Sequence, residues 1–172
     1  MKHIVKTILI FLFTLSTINT FAQDVFQVFE KNKQVNAVVV NQKMFEMMAN
    51  VKVEPTSQEE KAYLSLIKKL TSLRVFNTTS ASLKEEMKTA VSKHVSSASL
   101  KEYSNNKDNG SNITIYINQN GSANNISNLL LFNENSKENI VMILTGQFSL
   151  NEISSLTSKM NLPIGDSLNK IK

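Results

Sequence analysis

Histidine occurs twice in the 172 residues, as His3 and His94, and cysteine not at all. Nucleophilic catalysis by a serine, histidine and acid would therefore have to run through His94, and no glycine-serine-glycine nucleophile elbow accompanies it. Without cysteine there is no thiol nucleophile, disulfide or thiolate zinc site, and a zinc ion held by one histidine and carboxylates alone is uncommon. The adjacent carboxylates Glu59-Glu60 and Glu85-Glu86 point about 100° apart on a helix, so neither pair converges on one proton or metal. They suit the first turn of a helix, where negative charge meets the positive end of the dipole. Residues 105–112 (NNKDNGSN) offer oxygen ligands but lack the closing glutamate of a calcium loop, and fit a hairpin turn better. The expectation is no catalytic residue, no metal and no cofactor.

Two features remain. Arg74 is the sole arginine, flanked by Leu73 and Val75 in a strand-like run, so its guanidinium lies on the face opposite to theirs. It is read as an ion-pair former or as a contact for an anion or partner. Met44, Phe45, Met47 and Met48 crowd one segment at helical spacing. They are read as core, with an adaptable apolar binding surface as the alternative.

What must position these residues is one domain behind a leader. Lys2, His3 and Lys6 precede an apolar stretch, and Thr20-Phe21-Ala22 places small residues at −3 and −1 before Gln23. That is a signal peptide, residues 1–22, cleaved after Ala22. Its apolar run is shorter than the roughly 20 residues of a membrane-spanning helix, so a retained anchor is the weaker reading. Loss of Lys2 and Lys6 takes 19 basic residues to 17 against 14 acidic, a net charge of +3 instead of +5. Lysines interleave with glutamates, which argues against nucleic acid as a partner. Residues 23–172 are the usual size of a single domain and must hold by packing alone.

Along that domain, Asp24 is placed to cap a short helix carrying Phe26 and Phe29. Residues 35–40 (VNAVVV) read as a first strand, and the methionine-rich segment as a helix turned into the core. Ser57 with Glu60, Ser82 with Glu85 and Ser149 with Glu152 are capping boxes opening three further helices. Residues 73–76 form a second strand. Ile113, Ile115 and Ile117 alternate with polar positions, Asn120-Gly121 is the strongest hairpin signal, and residues 126–132 and 140–144 are apolar enough for inner strands. Gly146 is read as the end of the last strand, and Pro163 as the stop of the last helix, after which Ile164, Leu168 and Ile171 are read either as a final apolar turn that packs back or as a frayed chain end. The fold class is α+β: two layers, a mainly antiparallel sheet of five or six strands, helices packed on one face.

Residues 35–48 (VNAVVVNQKMFEMM), 70–76 (LTSLRVF) and 144–156 (LTGQFSLNEISSL) together resemble the domain-of-unknown-function 4252 family of exported Bacteroidota proteins. The resemblance covers essentially the whole domain and implies a fold more than a chemistry, since it brings no catalytic or ligand residues with it. Some relatives carry a lipid-bearing cysteine after the leader where this chain has Gln23, which implies a soluble product without a membrane anchor, periplasmic or secreted. The expected function is a non-enzymatic interaction module of the cell envelope, binding an envelope protein or itself. The alternative is a small-ligand-binding or carboxylate-based hydrolase domain of the periplasm.

Overall fold

A computed structural model describes residues 24–51, 55–108 and 110–160. The leader, Gln23, Pro163 and the apolar turn after it lie outside the described residues. In chain order the elements are α1 (Gln27–Glu30), β1 (Asn36–Asn41), α2 (Gln42–Ala49), α3 (Gln58–Ile67), β2 (Leu70–Thr78), α4 (Ala81–Ser97), β3 (Leu100–Asp108), β4 (Ser111–Asn118), β5 (Ile126–Asn135), β6 (Asn139–Phe148) and α5 (Leu150–Lys159).

All six strands join one antiparallel sheet in the order β1-β2-β6-β5-β4-β3. The α+β class and the inner placement of β5 and β6 therefore hold. The expectation of helices on a single face does not. Leu129, Leu131, Ile140, Met142 and Leu144 pack with Phe45, Leu66, Ile67, Ile153 and Leu156 on one face. The intervening Leu130, Phe132, Val141 and Ile143 pack with Phe26, Phe29, Leu83, Met87 and Val91 on the other. The sheet is a middle layer, with α2, α3 and α5 on one side and α1 and α4 on the other. The physical reason is the composition of β5 and β6: continuous apolar runs bury both faces of a strand, whereas alternation buries one. β4 alternates as its sequence suggests, with Ile113, Ile115 and Ile117 in the first core, but its other face is covered too: Thr114 is buried and Tyr116 packs against the second core.

Local chemistry departs from the sequence reading at several ends. Ser57 caps α3 by accepting from Glu60 N–H at 3.1 Å, while Glu60 reaches back to Thr56 instead of Ser57, accepting from its N–H at 2.7 Å and its hydroxyl at 2.8 Å. Those two bonds hold the Glu60 carboxyl below its usual pKa. At α5 the glutamate half of the expected box forms: Glu152 accepts from Ser149 N–H at 2.8 Å and from its hydroxyl at 3.1 Å. At α4 it does not, because the helix starts at Ala81 with Ser80 as its cap residue, which moves Glu85 and Glu86 out of the first turn. Asn120-Gly121 belongs to a longer connection between β4 and β5, closed by a Ser122–Asn125 bridge. Asn118 braces it, its side-chain oxygen accepting from the Ser127 and Asn128 N–H groups at 2.9 and 3.3 Å. The tight hairpin is the other one, β3–β4, where Asp108 pairs with Ser111. Gly146 lies within β6.

Candidate functional site

β1 is an edge strand. It pairs with β2 on one side, through Val38–Val75, Val39–Arg74 and Val40–Leu73, and has no strand partner on the other among the described residues. Val40 is buried beside Leu73, but Val38 and Val39 remain 40% and 41% exposed on opposite faces. α2 follows without an intervening turn, its first turn capped by Asn41, whose side chain accepts from Met44 N–H at 3.0 Å. Of its methionine-rich segment, Phe45 is core, Met48 packs against it, and Met44 and Met47 are 42% and 64% exposed. The core reading thus holds for half the cluster. A helix over the rim of a sheet can turn only one narrow stripe inward, here Phe45, Met48 and Ala49.

Seven large apolar side chains are exposed among the described residues. Six of them, Val28, Val38, Val39, Met44, Met47 and Val51, lie on β1, on the helices flanking it, or just after α2. Tyr103 alone lies elsewhere, on the opposite edge strand. The apolar exposure of the described residues is therefore gathered at one edge, which marks an interaction surface more than a scatter of single residues does.

Arg74 sits beside this edge and is engaged within the chain. Its guanidinium is paired with Asp24, lies 3.8 Å from Glu30 Oε1, and stands over the Phe26 ring at 5.9 Å from the centroid. Asp24 is not the cap of α1; its carboxylate accepts from Phe26 N–H at 3.1 Å and turns the chain toward Arg74. His94, reaching over from α4, packs edge-on against Phe26 at 5.6 Å, and its Nε2 has no hydrogen-bond partner among the described residues. Burial pushes the His94 pKa down and Arg74 pushes it further, with Asp24 opposing.

The sign of the resulting pH dependence follows. The folded state holds His94 neutral where the unfolded chain has begun to protonate, so its contribution to stability is complete above the ordinary histidine pKa of about 6.5 and is lost as pH falls through the lowered value. Thermal midpoints measured between pH 7.5 and 5 are expected to fall in the wild type and to stay flat in His94→Gln. Arg74→Leu, which leaves Asp24 unopposed, is expected to raise the His94 titration followed by NMR and to cost about 1–2 kcal/mol, a value reduced by the solvent exposure of both carboxylates. An unmoved His94 titration in that variant would refute the coupling.

The remaining candidates disperse. Glu59, Glu85 and Glu86 are exposed, and no three metal-binding side chains cluster among the described residues. Asn105, from the loop weighed for calcium, donates to Thr114 Oγ1 at 3.0 Å across the β3–β4 ladder. Between α1 and α4 runs an open groove of about 370 Å³, lined by Asp24, Val28, Glu86 and Lys93 among others. No described helix is long and apolar enough to cross a membrane.

Residues 29–156 match the family described as Domain of unknown function (DUF4252). The chain belongs to this family. The match runs from Phe29 in α1 to Leu156 in α5, so the DUF4252 region takes in the whole sheet, the first core and all of the second core but Phe26. Asp24 and Phe26, which hold Arg74 and His94, lie before it. No curated protein and no solved structure matches the chain. The DUF4252 domain therefore has to be read from its own surface. The uncharged run VNAVVV at residues 35–40 signals a strand, but only its pairing on one side makes its valines available.

Proposed function

We propose that this DUF4252 domain is an exported, non-enzymatic interaction module of the cell envelope that takes hold of another chain along the β1 edge. The observation carrying the proposal is the gathering at that edge of six of the seven large apolar side chains exposed among the described residues. A strand with free backbone donors and acceptors and apolar side chains on both faces is suited to adding a further strand. Export rests on the leader ending at Ala22, and a product without lipid anchor on Gln23 at the junction.

Tagged domain exposed to periplasmic extract or culture fluid is expected to retain a reproducible partner, and Val38→Lys, which sets a charge on the open edge, to lose it. A strictly monomeric protein with no partner lost on that substitution argues against the module. A second reading, a small-ligand site, rests on the groove between α1 and α4; a rise in thermal midpoint with one member of a metabolite panel is its signature.

A further inference from the structure

We infer that the β1 edge pairs with β1 of a second copy of this chain, antiparallel about a two-fold axis at Val39, joining two six-stranded sheets edge to edge. The inference deepens the interaction reading of this edge and rests on it. Its first support is the contrast between the two edges of one sheet. β3 carries Lys101, Glu102, Lys107 and Asp108, and its register shifts between Glu102 and Ser104. Charges and a bulge are the devices that keep an edge from pairing. β1, NAVVVN, has no charge, no proline and an unbroken register.

The second support is what the edge requires of its occupant. Val38 is exposed on the α2 side and Val39 on the Arg74 side, so a fitting strand is uncharged and presents apolar side chains to both faces. β1 is itself such a strand. It is already extended on β2, so little ordering entropy opposes its docking. A two-fold axis normal to the sheet keeps each face on its own side, so residues brought opposite one another must share a facing. Centred on Val39, it sets Val39 against Val39 of the second copy, Val38 against Val40, and Ala37 against Asn41.

Charge is the third support. The flanks of the edge hold both signs: Lys43 and Glu46 are exposed on α2, Glu30 and Lys31 at the end of α1. The two α2 helices then run antiparallel on one face, each bringing one lysine and one glutamate to the seam. An isologous interface needs this balance, because a patch of one sign repels its own copy.

The test is sedimentation equilibrium of the purified exported chain over a broad concentration range. Wild type is expected to dimerise, and Val39→Lys, which sets two ammonium groups opposite each other, to dimerise at least about tenfold more weakly. Because the chain has no cysteine, Val39→Cys supplies one thiol. It is expected to link to its own copy with a short bismaleimide, whereas Tyr103→Cys on the β3 edge is not. These cysteine variants keep the test informative if Val39→Lys folds poorly beside Arg74. A wild type monomeric throughout the range, or cross-linking from Tyr103→Cys and not from Val39→Cys, overturns the inference. A monomer that still binds a different envelope protein in a Val38-dependent way overturns self-pairing and leaves the interaction module standing; a monomer that binds nothing removes both.

Discussion

Gly146→Ala is expected to destabilise the domain by about 3 kcal/mol, from backbone strain and overpacking together. Gly146 adopts φ +153° within β6, a region that side chains rarely enter, opposite Leu70 where the β2 register shifts. An added Cβ would collide with the Lys69 carbonyl oxygen and lie 2.9 Å from Leu70 Cα. Both obstacles are backbone, so no side chain can swing aside. The same carbonyl accepts from Gln147 N–H at 3.0 Å, and Lys69 N–H donates to Leu66 at 2.8 Å as α3 turns into β2. Displacing this junction pulls on Leu66 and Ile67, both fully packed in the first core. Lys69 also pairs with Glu152 at 2.7 Å, which ties the start of α5 to the same point. Urea unfolding provides the measurement. Gly110→Ala is the control: its φ is +79° but nothing stands within 4 Å of the added Cβ, so it should cost only about 1 kcal/mol. Equal losses in the two variants would show that close approach at Gly146 carries no weight.

The contrast between these glycines also shows what a sequence can reveal of this fold. The β3–β4 hairpin is announced by its own short polar run, Asp108-Asn109-Gly110 in the sequence. Gly146 reads as a strand end because a glycine in an apolar run ordinarily marks a stop, and the obstacle that requires it, Lys69, is far away in the chain. The same division runs through the molecule. Central β5 and β6 are legible from their apolar runs, and those runs already imply cover on both faces. The alternation of β4 points to one covered face, yet Thr114 is buried and Tyr116 packs against the second core, because a helix layer covers that face as well.

The candidate site was legible in its parts. Helical spacing identifies α2 but leaves its phase open, since Met44, Met47 and Met48 satisfy it as well as Phe45, Met48 and Ala49 do. The position of the helix over an edge strand selects the second set, and strand order is a long-range property. Arg74 is likewise conspicuous as the lone arginine, while its partner Asp24 lies 50 positions away and no periodicity connects them. His94 is placed on the flank of the α4 stripe by its spacing; its contact with Phe26 depends on α1 crossing the sheet.

Phe76→Ala is the other substitution expected to act strongly, at about 3–5 kcal/mol for removing a buried aromatic ring. Phe76 is fully buried and stacks on Phe26 at 5.5 Å with planes 6° apart, while Phe29 tilts against it at 6.2 Å. These rings are what hold α1 down. A helix of four residues has no stability of its own, so its place over the sheet depends on burying Phe26 and Phe29. The loss should therefore be uneven. Hydrogen exchange is expected to rise first in residues 24–35, at denaturant concentrations where β5 and β6 stay protected, because the second core continues through Leu130, Val141 and Ile143 without them. Phe76→Leu, which keeps most of the apolar volume, should lose less than half as much and leave α1 docked. Arg74 lies on the same face of β2 and pairs with carboxylates on either side of Phe26, so freeing α1 also releases the guanidinium and uncovers the face of the sheet beside Val39. Loss of protection confined to α1 is the expected result in Phe76→Ala, while uniform loss of protection across the sheet would mean that α1 and the central strands form one cooperative unit.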